Sequence, residues 1–291
     1  MPSLGLFLSQ LFNGLALGTL LALVASGLTI IFGTLGLVNF AHGALFAVGA
    51  YAGYVTYNLT HSFVLALAVG AVVTGLLGLL LEWGLIRRYY ARPPEDQILV
   101  TFGIGIVIVE SLRLGFGGLT KNVPQPSWGN GILNLHYFFY PTYRLEVLGI
   151  AGLALFGLYL LIYWTRLGLI VRAGIEDPLM VRMLGIRVPR VMTLVFGIGA
   201  LAAGFAGVVY APIISASPDM GNRVLVQSFV VVVIGGLGSF PGAVVGGIIA
   251  GEILSLTSMF DPAYSDVALY ALMALVLFVL PRGLLGTEGR V

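Results

Sequence analysis

The sequence predicts an all-α polytopic membrane protein with about eight transmembrane helices and glycine-broken elements near residues 33–43 and 235–242. Hydrophobic residues make up 59% of the chain, and the mean hydropathy is +1.04. Charged residues make up only 9%, whereas soluble domains carry roughly 25%. Several apolar runs also reach the roughly 20 residues that a membrane-spanning helix needs. Lipid is therefore the expected solvent for most side chains.

The apolar runs give the elements in order. The predicted spans are 5–32, 34–58, 64–86, 97–116, 143–164, 190–212, a broken element within 224–260, and 264–281. Eight crossings result if the broken element contributes a short half-helix before its complete span. The first charged side chain is Glu82, so the amino terminus lacks a cleavable signal and its apolar run stays in the membrane. We treat 1–291 as a single transmembrane domain.

The distribution of Lys and Arg predicts the orientation, because loops rich in these residues face the cytoplasm. One group of loops carries ten of them: Arg87, Arg88, Arg92, Arg166, Arg172, Arg182, Arg187, Arg190, Arg282 and Arg290. The other group carries four: Arg113, Lys121, Arg144 and Arg223. The charged segment 166–190 is therefore expected inside and the amino terminus outside, and a re-entrant 34–58 in place of a full span would reverse the side of the amino terminus. The largest outer loop, 117–142, is predicted to cover the headgroups or, alternatively, to bind a partner.

The charged segment predicts a short capped helix. Asp177 is a favoured N-cap, Pro178 fits the first helical position, and Gly185 can end the helix in a left-handed conformation. The apolar side chains of this helix form a small wedge: Leu179, Met180, Met183 and Leu184. The wedge could rest on lipid. Its brevity favours docking to a soluble partner, since seven residues bury too little area to anchor in lipid.

The two glycine-broken elements interrupt apolar runs in opposite halves of the chain. Irregular backbone at membrane depth must be buried in protein or line a wet cavity, so paired breaks indicate a transport pathway. Its candidate residues are Asn39, His42, Gly43, Gly235, Gly236 and Gly238. Close helix packing is the alternative for the glycines. A core histidine with satisfied hydrogen bonds is the alternative for His42.

Three acidic residues fall within or near the spans. Glu82 lies close to Arg87, and Glu110 lies three residues before Arg113, so each has a basic neighbour on its helix. Glu252 has none and joins the candidate pathway residues, because a charge at membrane depth usually marks function. The alternative is a pair with another subunit.

Composition argues against catalysis within this chain. There is no Cys, the three His are scattered, and no metal site is predicted. The phosphate-binding pattern Gly-x-x-x-x-Gly-Lys does not occur, and Lys121 is the single lysine. No cofactor is therefore expected here. The self-sufficient alternative is a channel or secondary transporter for a small polar solute, with His42 or Glu252 carrying protons.

Several runs together resemble the LivH-type permease subunits of branched-chain amino acid ABC importers. The most specific are GLTIIFG at 27–33, LVNFAHG at 37–43 and GAY at 49–51. The others are RA at 172–173, ED at 176–177, Met180, LGI at 184–186, GGLGS at 235–239, GA at 242–243 and PRGL at 281–284. The resemblance covers nearly the whole chain and extends to urea and amide importers.

This resemblance implies a multi-pass permease of the bacterial inner membrane. It also implies four partners: a second, LivM-like permease, two cytoplasmic ATPases that bind ATP and Mg²⁺, and a periplasmic binding protein. Lipid surrounds it, and nucleic acid is not an expected partner. The resemblance makes 166–190 the ATPase-coupling loop, with these candidate contacts: Arg172, Glu176, Asp177, Met180, Met183, Leu184 and Gly185. No charged pair in the sequence is obviously placed to hold an amino acid.

Overall fold

The computed structural model describes residues 4–135, 138–176, 181 and 183–286. Within these residues ten α-helices follow one another: α1 Leu4–Leu35, α2 His42–Thr60, α3 Phe63–Gly84, α4 Pro94–Phe116, α5 Thr142–Trp164, α6 Arg166–Glu176, α7 Val188–Ile214, α8 Met220–Gly235, α9 Phe240–Ser258 and α10 Ser265–Val279. Short 3-10 turns lie at Ile86–Tyr89, Ser127–Gly129 and Pro262–Tyr264. The predicted all-helical class is confirmed.

Seven helices in the described part of the chain are long and apolar enough to cross a membrane. They are α1, α3, α4, α5, α7, α9 and α10, the last counted with its preceding 3-10 turn. Two more helices complete the bundle: α2, which follows the first predicted break, and the 16-residue α8, which precedes the second. The chain is therefore a multi-pass membrane protein.

The first helix forms the centre of the bundle. In its most apolar window 83% of the residues are buried, against 22% in α4 and 11% in α10, which lie at the periphery. Small residues let α1 and α9 approach closely. A Cβ atom on Gly251 would lie 2.3 Å from the Gly18 Cα, and one on Gly247 would lie 2.6 Å from the Ala22 Cα. Such contacts between small residues stabilise helix pairs in lipid through van der Waals packing.

The connecting segments gather at the two ends of the bundle. At one end, which we call the Arg144 end, the Lys121 backbone pairs with Ala216 in an antiparallel bridge. At the other end, which we call the charged-segment end, the Arg87 guanidinium donates to the Pro189 carbonyl over 3.3 Å. The bundle thus keeps apart the described members of the two groups of basic residues that the sequence separates.

The long loop at the Arg144 end packs on the bundle through a small hairpin. Strand β1, Ile132–Asn134, pairs antiparallel with β2, Phe139–Pro141. Tyr140 is buried, and its ring lies 5.6 Å from that of Phe12 on α1. The Trp128 ring meets Phe63 on α3 edge-on at 5.9 Å. The loop therefore covers the ends of α1 and α3.

The charged segment contains a helix that the sequence analysis does not predict. Residues Arg166–Glu176 form α6, with charged and apolar side chains on different faces. The predicted end at Gly185 does adopt a left-handed conformation, with φ +78°. The predicted cap at Asp177, with Pro178 and Met180, lies outside the described residues.

Candidate functional site

The first break is an irregular segment whose backbone polar groups find partners inside the protein. The Asn39 Oδ1 atom accepts a hydrogen bond from the Ala41 backbone N–H over 3.1 Å. The Thr101 hydroxyl of α4 accepts from the Phe40 N–H over 3.2 Å and lies 3.3 Å from the Val38 carbonyl oxygen. These bonds replace the helical ones that the break removes, as burial in a membrane protein requires.

Asn39 and His42 are both buried at this break. The His42 Nε2 atom lies 3.1 Å from the carbonyl oxygen of Val24, in the middle third of α1. Because a carbonyl only accepts, Nε2 carries the proton in this contact. The His42 Nδ1 and Asn39 Nδ2 atoms have no hydrogen-bond partner among the described residues. Each side chain is thus half-satisfied and keeps one free polar atom inside the bundle.

The predicted pathway glycines lie at close helix contacts. A Cβ atom on Gly43 would lie 2.3 Å from the Gly221 carbonyl oxygen, so α2 and α8 touch through their backbones. A Cβ atom on Gly235 would lie 2.2 Å from the Gly242 carbonyl oxygen, across the second break. This geometry is the packing that the sequence offers as the alternative explanation for these glycines.

The second break also needs glycine for its backbone. Gly236 and Gly238 have φ values of +107° and +81°, which side chains strongly disfavour. The position of a Cβ atom on Gly238 lies 3.5 Å from the Gly33 Cα, so the two breaks meet. The Leu284 N–H donates to the Ile234 carbonyl over 2.8 Å. The PRGL run at 281–284 thereby caps the end of α8.

Glu252 lies on α9 against α1. Both of its carboxylate oxygens are buried without a hydrogen-bond partner among the described residues. A Cβ atom on Gly14 would lie 2.6 Å from Oε2, so Gly14 provides the space for the carboxyl group. The structure places Glu252 away from the first break, one turn before Ser255.

A cavity at the Arg144 end was missed by the sequence analysis. Its volume is 580 Å³, and helices α1, α5, α7, α8, α9 and α10 contribute to its wall. From α1 it takes Gln10, Asn13, Leu17 and Leu20, which share one helical face. Ten residues of helix rise about 15 Å, so the cavity reaches well into the bundle. Its α1 wall changes from polar at Gln10 to apolar at Leu20.

A chain of hydrogen bonds lines the polar part of this cavity. Ser255 donates to the Gln10 carbonyl over 2.6 Å, and the Asn13 amide donates to the Gln10 Oε1 over 3.1 Å. The Asn13 Oδ1 then accepts from both Arg144 and the Tyr140 hydroxyl. Burial raises the pKa of Tyr140 to about 12, so its hydroxyl keeps the proton that it donates. The network orients the Arg144 side chain.

The charges around the cavity do not balance. Arg223 pairs with Asp266 at 2.9 Å, and Gln227 donates to the same carboxylate over 2.9 Å. Arg144 has no carboxylate within 4.0 Å among the described residues, and its one hydrogen bond there goes to the neutral Asn13. The cavity therefore keeps a surplus positive charge at its polar end.

The charged-segment end presents a different surface. The Met183 and Leu184 side chains are each 73% exposed, whereas Val181 is buried. The Arg172 guanidinium lies 5.1 Å from the centre of the Tyr163 ring, within cation–π range. Glu176 ends α6, and Asp177 and Met180 belong to the undescribed residues. Two of the predicted wedge residues are thus accessible to a partner.

Arg87 links the charged segment to the bundle. Glu82 is fully buried and forms an ion pair with Arg87 at 3.1 Å, which confirms the predicted pairing. The Arg87 guanidinium also donates to the Thr193 hydroxyl. Burial and the nearby Glu82 carboxylate raise the pKa of Tyr90, which donates to that carboxylate over 2.9 Å. The other predicted pair, between Glu110 and Arg113, is confirmed at 2.5 Å.

Comparison with known proteins gives a consistent result along nearly the whole chain. Residues 10–277 match the family model described as branched-chain amino acid transport system / permease component. The chain is 33% identical to the LivH permease protein of Salmonella typhimurium, covering 96% of each. It is 31% identical to BraD of Pseudomonas aeruginosa, covering 98% of each.

A more distant relative is the ribose import permease protein RbsC of Escherichia coli, which is 28% identical over 85% of this chain and 76% of its own length. The matches to LivH and BraD exceed 30% identity and span both partners almost completely. The chain therefore belongs to the family of permease components of branched-chain amino acid transport systems.

Proposed function

We propose that this permease imports branched-chain or related amino acids across the bacterial inner membrane as a subunit of an ATP-binding cassette importer. In this proposal 1–291 forms one transmembrane domain and pairs with a second, LivM-like permease. Two cytoplasmic ATPases bind ATP and Mg²⁺, and a periplasmic binding protein delivers the solute. The family match and the transport names of LivH and BraD support the proposal.

The observation that carries the proposal is the separation of two surfaces. A solute-sized cavity opens at the Arg144 end, and exposed Met183 and Leu184 lie at the charged-segment end. In this proposal the charged segment faces the cytoplasm, as the excess of Lys and Arg at that end favours, and the cavity faces the periplasm. A binding protein can then load the cavity while an ATPase contacts the opposite end.

The coupling loop of this proposal is 166–190. Its apolar contacts are Met183 and Leu184, held beside the turn at Gly185. Arg172, Glu176, Asp177 and Met180 complete the proposed ATPase contact. Arg87 gives the loop a mechanical connection, because it joins buried Glu82 on α3 to the start of α7. A displacement of the loop would thereby be transmitted to two membrane-spanning helices, α3 and α7.

The proposed pathway leads from the cavity past the two breaks. Its residues are Asn39, His42, Gly43, Gly235, Gly236, Gly238 and Glu252. The free polar atoms of Asn39, His42 and Glu252 support this role, since buried polar atoms without partners are costly in lipid. A contact between Glu252 and the second permease is the competing explanation for its free oxygens.

Purification and reconstitution test the importer. Extracted in mild detergent, the chain is expected to bring down an ATPase and a second permease. In proteoliposomes, leucine uptake should require ATP and the binding protein. Uptake that proceeds without ATP, together with the absence of any co-purifying ATPase, would support the stand-alone channel or secondary transporter instead. Urea or amide uptake in place of leucine uptake would assign the nearest substrate variant.

A further inference from the structure

We propose that Arg144 binds the carboxylate of the transported solute in the cavity and thereby selects solutes that carry one. The inference rests on the proposed function, because it names how an amino acid is held on its way through this permease. Arg144 is a cation of the cavity wall that no described carboxylate neutralises.

The position of Arg144 suits an anchor. It stands in the first turn of α5, and Asn13 on α1 fixes its direction through one hydrogen bond. A guanidinium has five donors, so several remain for a carboxylate, which it can bind through two parallel hydrogen bonds. Arg223 is less suited, since Asp266 already occupies it at 2.9 Å.

The rest of the cavity fits the other end of a branched-chain amino acid. Below the polar network the wall continues with Leu17, Leu20, Val224 and Leu254. An aliphatic side chain would lie on this surface while its carboxylate meets Arg144, because burial of apolar area is favourable. The Gln10 and Ser255 oxygens lie on the polar side, where an ammonium group needs acceptors.

The charge of the cavity can be measured without transport. The chain has no Cys, so Ser258→Cys at the cavity wall introduces a single thiol. In the assembled transporter, this thiol is modified by an anionic or a cationic methanethiosulfonate of similar size, and labelling of this chain is read by mass spectrometry. Arg144→Gln should lower the anionic-to-cationic rate ratio about tenfold, because one unit charge is removed nearby.

Control variants separate charge from folding. Lys121→Gln removes a charge from the same end but outside the cavity wall, and should leave the ratio unchanged. Arg144→Lys keeps the charge and should keep the ratio within about twofold of the unsubstituted protein. An Arg144→Gln variant with an unchanged ratio would overturn the proposal.

The same thiol reports the ligand. Leucine should slow its modification, whereas leucinol, which has the same side chain and ammonium group but no carboxylate, should not. In the Arg144→Gln variant, leucine should slow the modification no more than leucinol does. Equal protection by both compounds overturns the carboxylate anchor even if ATP-driven leucine uptake is intact. If the unsubstituted transporter instead shows no leucine uptake that depends on the binding protein and ATP, the proposed function is refuted.

Discussion

Gly43 and Gly221 touch backbone to backbone, so that the carbonyl oxygen of each occupies the space that a Cβ atom on the other would need. The distances from such Cβ atoms to the opposite oxygens are 2.3 Å and 1.9 Å. The contact joins the start of α2 to the start of α8, the helices that follow and precede the two breaks. It therefore fixes the spacing between the start of α2, at the first break, and the start of α8.

Gly221→Ala is expected to force α2 and α8 apart. The added methyl group meets a carbonyl oxygen on a rigid backbone, and overpacking of this kind costs about 1–3 kcal/mol. Thermal unfolding in detergent should begin at a lower temperature, and leucine uptake should fall. Gly103→Ala is the control, because a Cβ atom there has open space and alanine favours a helix. Equal stability of the two variants would contradict this contact.

Arg87→Gln should destabilise the protein by about 3 kcal/mol, since it leaves the fully buried Glu82 carboxylate without its cation. Glu82→Gln combined with Arg87→Gln should recover part of the loss, because no charge then remains unpaired. Chemical unfolding of the single and double variants measures the coupling as a double-mutant cycle.

The control for this ion pair lies at the Arg144 end. Arg113→Gln breaks pairs with Glu110 and Asp219, whose side chains are 50% and 59% exposed. Exposed pairs contribute about 1 kcal/mol or less. A loss as large as that of Arg87→Gln would show that burial does not set the strength of these pairs.

The helical membrane fold could be predicted because long apolar runs admit few alternatives in lipid. The same criterion does not predict α6, because Arg166–Glu176 is not a long apolar run. Arg166 and Arg172 interrupt hydropathy, and Gly168 and Gly174 lower helix propensity, so the segment resembles a loop. The available local signal was the separation of charged and apolar side chains on two faces of this segment, whereas its packing against α5 and α7 is tertiary.

The cavity could not be predicted because its polar groups come from distant parts of the chain. Asn13 and Arg144 are 131 residues apart, and Gln10 and Ser255 are 245 apart. The available signal was the pair Gln10 and Asn13, two polar residues spaced by three within an apolar run. Such a pair indicates a polar helix face, but its partners depend on the packing of α1, α5 and α9.

Leu184→Asp is expected to abolish ATP-coupled uptake while the protein still inserts in the membrane. The side chain is 73% exposed, so a carboxylate there costs little in the isolated chain. In an apolar groove of an ATPase the same charge is strongly unfavourable. Uptake, membrane abundance and ATPase co-purification should be measured together.

Leu119→Asp provides the matched control for Leu184→Asp. Leu119 is 81% exposed and lies in the loop at the Arg144 end, so the same substitution should leave ATPase association intact. Normal uptake by the Leu184→Asp variant would remove the docking role of this surface.

Glu252→Gln and Asn39→Leu should each reduce transport more than they reduce assembly of the complex. Both side chains keep buried polar atoms without described partners, so they are available to water or solute during transport. Glutamine preserves the shape of Glu252 against Gly14, and leucine keeps the branching of Asn39 at Cγ with a larger volume. Assembly, read from the yield of the co-purified complex, should therefore stay close to normal while uptake falls about tenfold, the typical effect of losing roughly 1.4 kcal/mol. Parallel loss of assembly and uptake would favour a packing or subunit-pairing role instead.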